Sequence, residues 1–443
     1  MRNKKYRIGG ILCLWLFSIL AMQAQYTVTG GNGVPYLAAD NSAHKIKVYL
    51  VNGGDDIQIS YTSSSIPHKW YRYRTKALEG EPVASQQNGN TSTVTNIEEG
   101  WGYYVQESDI MTNFVWVIDY NKYAFDIKSL RVSEQSDPCS AVLLTGEMTA
   151  PALSYRTPSG SIVPLPRQYE ISYKTLRWSD ESKGFIPETV VRTVEDPFDV
   201  ALDSLLTDTQ IHLTGDLFAR HFKREKSIST DLYTARQVVV HVDTTIVSPQ
   251  SDNQLDLTQD GLSAPATISF NAYSNMTSGG MYIWKIYNNE QGPDFPVIQF
   301  NEPQVDYTFR QYGYYTATLE VTDQTGSCTD NSTSIEIRIK ESDLQVPNAF
   351  SPGASPGIND EFKVAYKSIV KFKGWIFNRW GVQLFYWTDP ALGWDGKYKN
   401  KYVSPGVYFY VIEAEGSDGY KYKKSGDINI LRSKTIQDES IQE

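Results

Sequence analysis

Four places in this chain carry residue types that chemistry uses, and each has the wrong surroundings. Gly353-Ala354-Ser355-Pro356-Gly357 has the G-x-S-x-G spacing of a nucleophile elbow. That elbow needs a strand before the serine, a helix after it and a backbone N–H on the next residue. Pro356 has no N–H and the flanks are turn residues, so a surface turn is expected. His241 and Asp243 alternate onto one strand face, as a base and its orienter would, but no third ligand completes a zinc set. His212 and His221 lack the H-E-x-x-H spacing of a metalloprotease. Asp323 and Asp330 in DQTGSCTD offer oxygens without the repeating ligand loop of a calcium site. No phosphate loop or dinucleotide fingerprint appears. The expectation is a chain that is not an enzyme and holds no cofactor and no metal.

Aromatic side chains offer a different chemistry, stacking on the flat face of a ligand such as a sugar. The chain has 30 Tyr and 10 Trp, enough for both a core and a binding face. Trp70, Tyr71 and Tyr73 in KWYRYR, with Trp101 and Tyr103 in GWGYY, form the candidate ligand face for a glycan. Core packing is the competing use of the same residues. Tyr71 and Tyr73 share one face of their strand, and Trp70 and Arg72 share the other.

These residues must be held by strands. Short alternating runs dominate and long patterns of period 3.6 are scarce. The fold class expected is all-β: tandem immunoglobulin-like β-sandwich domains followed by a small C-terminal β-sandwich. Residues 1–24 read as a signal peptide, with Arg2, Lys4, Lys5 and Arg7 before an apolar core at 11–20 and a cut after Ala24. That core is too short to span a bilayer as a mature helix, and no second transmembrane run follows. An N-terminal β-sandwich at 25–136 and an immunoglobulin-like domain at 137–246 come next, the latter with a helical piece at 216–222. Residues 247–261 are polar and read as a flexible linker. A sandwich at 262–341 follows, with Trp284 expected between its sheets. The last domain spans 345–432, and 433–443 form a polar tail.

The C-terminal stretch carries a resemblance. PNAFSP with Asn359-Asp360, then NRWG, WDG and PGVYFYVI, occur in order. They resemble the gliding-motility-associated C-terminal domain of Bacteroidetes, the type B sorting signal of the type IX secretion system. The resemblance implies that Asn348, Phe350, Pro352, Asn378, Arg379, Trp380, Gly381, Trp394, Asp395, Gly396, Pro405 and Gly406 belong to a sorting or docking motif. It also implies outer-membrane secretion machinery or envelope proteins as partners, and a cell-surface or secreted destination. A periplasmic or outer-membrane-associated resident is the alternative. The run Tyr312 to Asp323 in the preceding segment resembles a PKD-type (polycystic-kidney-disease) immunoglobulin-like domain.

Charge and cysteine narrow the partners. Net charge is −10, and the acid lies before residue 344, because the tail beyond it is slightly basic. An acidic body disfavours nucleic acid and anionic membrane surfaces. Outside the signal only Cys139 and Cys328 remain. Two separate thiols are the simplest expectation, and an inter-domain disulfide is the alternative in an oxidising compartment.

Overall fold

The computed structural model describes residues 25–107, 110–203, 205–248, 251–255, 261–276, 279–353 and 357–431. The expected signal peptide, the polar tail and Ser355 lie outside the described residues. The chain is all-β, built from successive immunoglobulin-like sandwiches with a small β-unit at the C-terminal end.

In the first unit a four-stranded sheet (Gln25–Thr29, Gln58–Thr62, Thr91–Thr95, Gln86–Asn88) packs on a six-stranded one. The six-stranded sheet holds Tyr36–Asn41, Ile46–Val51, Ile110–Asp119, Gly102–Glu107, Lys69–Tyr73 and Glu81–Val83. Alternation along Lys69–Tyr73 sends Trp70 into the inter-sheet core with Ile59, Tyr61, Val105 and Val115. Tyr73 goes to the opposite face, with Val48, Phe114 and Trp116. That outer face would meet water in an isolated sandwich. Here the hairpin Leu153–Arg156/Ile162–Leu165 and the helix Leu217–His221 cover it, contributing Leu153, Tyr155, Phe218 and Phe222.

The second unit pairs the sheet Asp126–Val132, Ala141–Thr149, Ala201–Asp203 with the sheet Gly184–Val194, Tyr169–Ser179, His212–Gly215, Lys226–Ser229. Ile171, Leu202, Ile211 and Leu213 fill the space between. Its joint with the first unit is a buried ion pair. Arg167 is paired with Asp216, their side chains 7% and 0% exposed. Arg167 also donates to the carbonyls of Tyr123 and Pro151. The Asp216 carboxylate accepts from the Tyr120 hydroxyl and caps the helix through the Ala219 N–H, both at 2.8 Å. Burial raises the Tyr120 hydroxyl pKa first, and the Asp216 charge raises it further, so it stays a donor.

The third unit stacks Val240–Ile246, Ala266–Ser274, Gln304–Phe309 on Ile298–Phe300, Met281–Asn288, Gly313–Thr322, Thr329–Ile339. Trp284 is fully buried between the sheets, beside Phe270. Three expectations fail at these joints. Val240–Ile246, placed in the second domain from its sequence position, pairs along its whole length with Ala266–Ser274 of the third. Asp126–Val132, placed in the first domain, belongs to the second unit's sheet. Cys139 and Cys328 are not separate thiols. They form a disulfide across 189 residues, Cα to Cα 5.3 Å, between the second and third units.

The final unit has a five-stranded sheet in the order Ala349–Phe350, Lys421–Ile430, Gly406–Gly416, Ile369–Phe377, Gln383–Trp387. Phe362, Trp394, Ile376, Ile412 and Ile428 are fully buried on one side of it. The expected flexible linker is another correction, because residues 251–255 are docked on this unit and Val247 and Ser248 on the third. The Asn253 amide donates to the carbonyls of Val364 and Pro390, and the Leu255 N–H to that of Tyr366. Asn253 is polar because its side chain satisfies backbone groups there, and Asp252 and Gln254 because they meet the side chains of Lys363 and Tyr366.

Removing one partner from a buried, hydrogen-bonded ion pair strands the other charge. Asp216→Ala is expected to lower unfolding free energy by about 3–5 kcal/mol in a denaturant titration. The double replacement Arg167→Met with Asp216→Leu should cost less. A loss below about 1 kcal/mol for the single variant, the scale of a surface pair, would show that the pair does not hold this joint.

Candidate sorting and docking site

The residues of the C-terminal motif fall into three groups. The first is a buried corner. Phe350 packs on Trp394 with ring centroids 5.6 Å apart, and on Phe362 at 6.1 Å. Trp394 donates its indole N–H to the Lys397 carbonyl at 2.8 Å and exchanges backbone hydrogen bonds with Phe362. Asp395 accepts the Lys397 N–H at 3.0 Å and so closes the turn. Gly396 sits at φ +78°, and a Cβ there would lie 2.9 Å from Cγ of the buried Pro352. Asn348 accepts the Asn429 N–H, which fixes the parallel pairing of Ala349–Phe350 on the last strand.

The second group is an exposed hairpin tip. The Asn378 side chain accepts the N–H groups of Trp380 and Val382, both at 3.0 Å. Gly381 takes φ +77°, and nothing lies within 4 Å of a Cβ built there. The Arg379 guanidinium sits 4.3 Å over the Trp380 ring, and Trp380 is 72% exposed. Pro405 and Gly406 form the third group, an exposed start to the long strand Gly406–Gly416. The first group shapes the fold, with Asn348 its exposed member, and the second and third lie on the surface.

The aromatic cluster of the first unit does not form a ligand face. Trp70, Tyr73 and Tyr103 are 2%, 1% and 1% exposed. Trp70 donates to the Ser92 hydroxyl, Tyr73 to the Arg156 carbonyl, and the Tyr103 hydroxyl accepts the Glu98 N–H. Tyr71 is stacked on Tyr104, and Trp101 lies under Arg72 at 4.2 Å. The cluster faces inward on both sides because the second unit covers the face that a lone sandwich would leave open.

The other candidates are absorbed as well. His241 stacks flat on Trp178 at 4.2 Å, and Asp243 pairs with Lys183 at 3.4 Å. His212 meets the Ser229 hydroxyl, and His221 meets the Val34 carbonyl. Burial pushes the Asp323 carboxyl up, but hydrogen bonds from the Thr325 hydroxyl and the N–H groups of Cys328 and Ser327 outweigh it. The carboxyl is held below its usual range, closing a turn. Asp330 accepts the Val240 N–H. Among the described residues no three His, Cys, Asp or Glu side chains are grouped to hold a metal ion.

Two family matches bear on this geometry. Residues 131–230 match the fibronectin type III domain family, which covers most of the second unit. Residues 344–430 match the family described as the CHU_C type IX secretion signal domain. This match at the C-terminal end points to a secreted or surface protein with immunoglobulin-like domains. The signal implies contact with the secretion machinery. Comparison with curated proteins gives no match. Among solved structures, dimeric latent PorU from Porphyromonas gingivalis aligns at 10% identity and a TM-score of 0.16. The alignment covers 74% of this chain, which spans 36% of that one. Among the described residues no helix is long and apolar enough to cross a membrane.

Sequence reasoning missed the open side of the C-terminal sheet. Its signal is the run Val407-Tyr408-Phe409-Tyr410-Val411-Ile412, apolar at both parities where a one-sided strand would alternate.

The two turn glycines separate fold from surface. Gly396→Val meets both a positive φ and the Pro352 ring, whereas Gly381→Val meets only the φ strain of about 1–2 kcal/mol. Gly396→Val is expected to lower the unfolding midpoint more than Gly381→Val, read by circular dichroism. Equal losses would show that Pro352 yields freely.

Proposed function

We propose that this is a non-catalytic, exported multidomain protein of the binding or adhesion type. Its C-terminal unit is read as a gliding-motility-associated sorting domain of the type B, type IX class found in Bacteroidetes. The match over residues 344–430 carries the reading, supported by the buried core around Trp394 and the exposed hairpin tip at Trp380. The third unit is read as PKD-type from Tyr312 to Asp323 and the inter-sheet Trp284. A protein or envelope component suits the partner better than a glycan, since Trp70, Tyr73 and Tyr103 are buried and Tyr71 and Trp101 are half-buried against Tyr104 and Arg72.

One observation favours a second reading, a resident envelope component whose last unit is a permanent docking module. That unit is integrated with its neighbour rather than appended to it. Ser342 donates to Asp418, Ser368 accepts the Ala264 N–H, and the Ser417 hydroxyl donates to the Lys340 carbonyl. Burial pushes the Asp418 carboxyl up, yet the N–H groups of Tyr420 and Ser342 outweigh it and hold it below the usual range.

Deleting residues 344–431 in a host with type IX secretion should leave the protein in the periplasm. Surface delivery of the deleted chain, measured by protease shaving of whole cells, would defeat the sorting reading. Intact mass of the surface form then separates the two readings: loss of the last unit means a signal that is removed, and its retention means a docking module.

A further inference from the structure

The first two strands of the third unit, Val240–Ile246 and Ala266–Ser274, pair antiparallel along their whole length. Roughly two to five residues suffice to close such a hairpin. Here the connection takes residues 247–265, and it leaves the third unit on the way. Val247 and Ser248 are still bonded to Thr267 of that unit. Residues 251–255 lie on the C-terminal unit, and Leu262 is back on the third, donating its N–H to the Arg338 carbonyl. The connection is far longer than the turn needs, and its length is used to reach the neighbouring unit.

It reaches an edge that the C-terminal unit does not finish by itself. Tyr366 sits in the strand Ala365–Lys367, which pairs on one side with Asp343–Gln345. On the other side the Tyr366 N–H donates to the Asn253 carbonyl at 3.1 Å, and the Tyr366 carbonyl accepts the Leu255 N–H at 2.7 Å. Gln254 stands opposite Tyr366 in parallel register. The Asn253 side chain is used completely. Its amide donates to the Val364 carbonyl at 2.7 Å and the Pro390 carbonyl at 2.8 Å, and its oxygen accepts the Ser251 hydroxyl at 2.7 Å. Val364 and Tyr366 are both buried. Their backbone groups thus take partners from ahead of the third unit, as buried N–H and C=O groups must find partners somewhere.

We propose that residues 251–255 are a positioning strand of the sorting unit, which is then discontinuous in sequence, with the third unit inserted in it. The proposal rests on the reading of the C-terminal unit as a sorting signal. The family match begins at residue 344 and so leaves this strand out. Asp343–Gln345 is where the chain enters the unit, so the two segments grip Ala365–Lys367 from both sides and fix how the unit is carried on the third. Without residues 251–255 that strand becomes an open edge, with unpaired groups that any other strand can take. Delivery of the unit as one folded body needs the edge closed.

The test uses the full chain in a host with type IX secretion. Asn253→Ala removes both amide donors, and Leu255→Pro removes the N–H given to Tyr366. Hydrogen exchange in peptides holding Tyr366, followed by mass spectrometry on the purified chain, should quicken about tenfold or more in each, the scale of stranding a buried backbone group. Surface-exposed protein, measured by protease shaving, should fall several-fold, with periplasmic accumulation. Val305→Ala thins the core of the third unit and serves as a variant loosened elsewhere; it should be delivered at the native level. Unchanged exchange at Tyr366 would show that the strand does not hold the edge, and faster exchange with native delivery would show that closing the edge does not matter to sorting. Either result overturns the proposal. So does an equal fall for Val305→Ala, which would make lost delivery a general effect of reduced stability. The chain lacking residues 344–431 runs beside them: if that deletion reaches the surface, the sorting reading itself has failed, and the proposal with it. Should Leu255→Pro not fold, Asn253→Ala, which alters no backbone group, decides alone.

Discussion

One buried charge pair organises the front half of this molecule. Arg167 and Asp216 meet where water is excluded, so each must be fully satisfied by its neighbours. Those neighbours come from different parts of the chain: Tyr120 and Tyr123 after the first sandwich, Pro151 before the capping hairpin, and Ala219 in the short helix. A charge that tolerates so little displacement fixes the hairpin and the helix against the first sandwich. Their apolar side chains then convert an open sheet face into a second core. The first two sandwiches are in this sense one cooperative body, even though sequence order separates them.

The remaining joints use different physics. Between the second and third units a covalent bond is seconded by the Trp178–His241 stack and by Asn275, whose amide donates to the carbonyls of Leu206 and Gln237. Between the third and fourth units Val370 packs on the third unit's core, and Ser342, Ser368 and Asp418 add local hydrogen bonds. Long apolar burial therefore sits at the front. The back is held by directional hydrogen bonds, which fix orientation more than they add stability.

Much of this was legible in the sequence, and the failures share a cause. Period-two patterning identified the strands, the split of Trp70 from Tyr73 and the burial of Trp284, because a pleat sends alternate side chains to opposite faces. The positive φ at Gly396 followed from Trp-Asp-Gly. Patterning does not say which strand lies beside which. Val240–Ile246 reads as a good strand wherever it pairs, so its sheet could not be known. The same gap hid the partner of Cys139, since 189 residues of separation carry no information on distance in space. It also made the aromatics of the first unit look available, because the hairpin that covers them lies some eighty residues further on. Asn253 looked like linker composition because polarity alone does not distinguish a side chain facing water from one that bonds buried carbonyls.

The bond between Cys139 and Cys328 also changes what it means for this chain to be cut. A scission anywhere between those two positions produces two polypeptides that are still one covalent molecule. The closed ring contains most of the second and third units, including the long hairpin Tyr169–Ser179/Gly184–Val194 of the fibronectin-like sheet. The chain thus keeps its carboxyl-terminal unit tethered to its amino-terminal half after a nick in that ring. It loses that tether only where the surroundings are reducing.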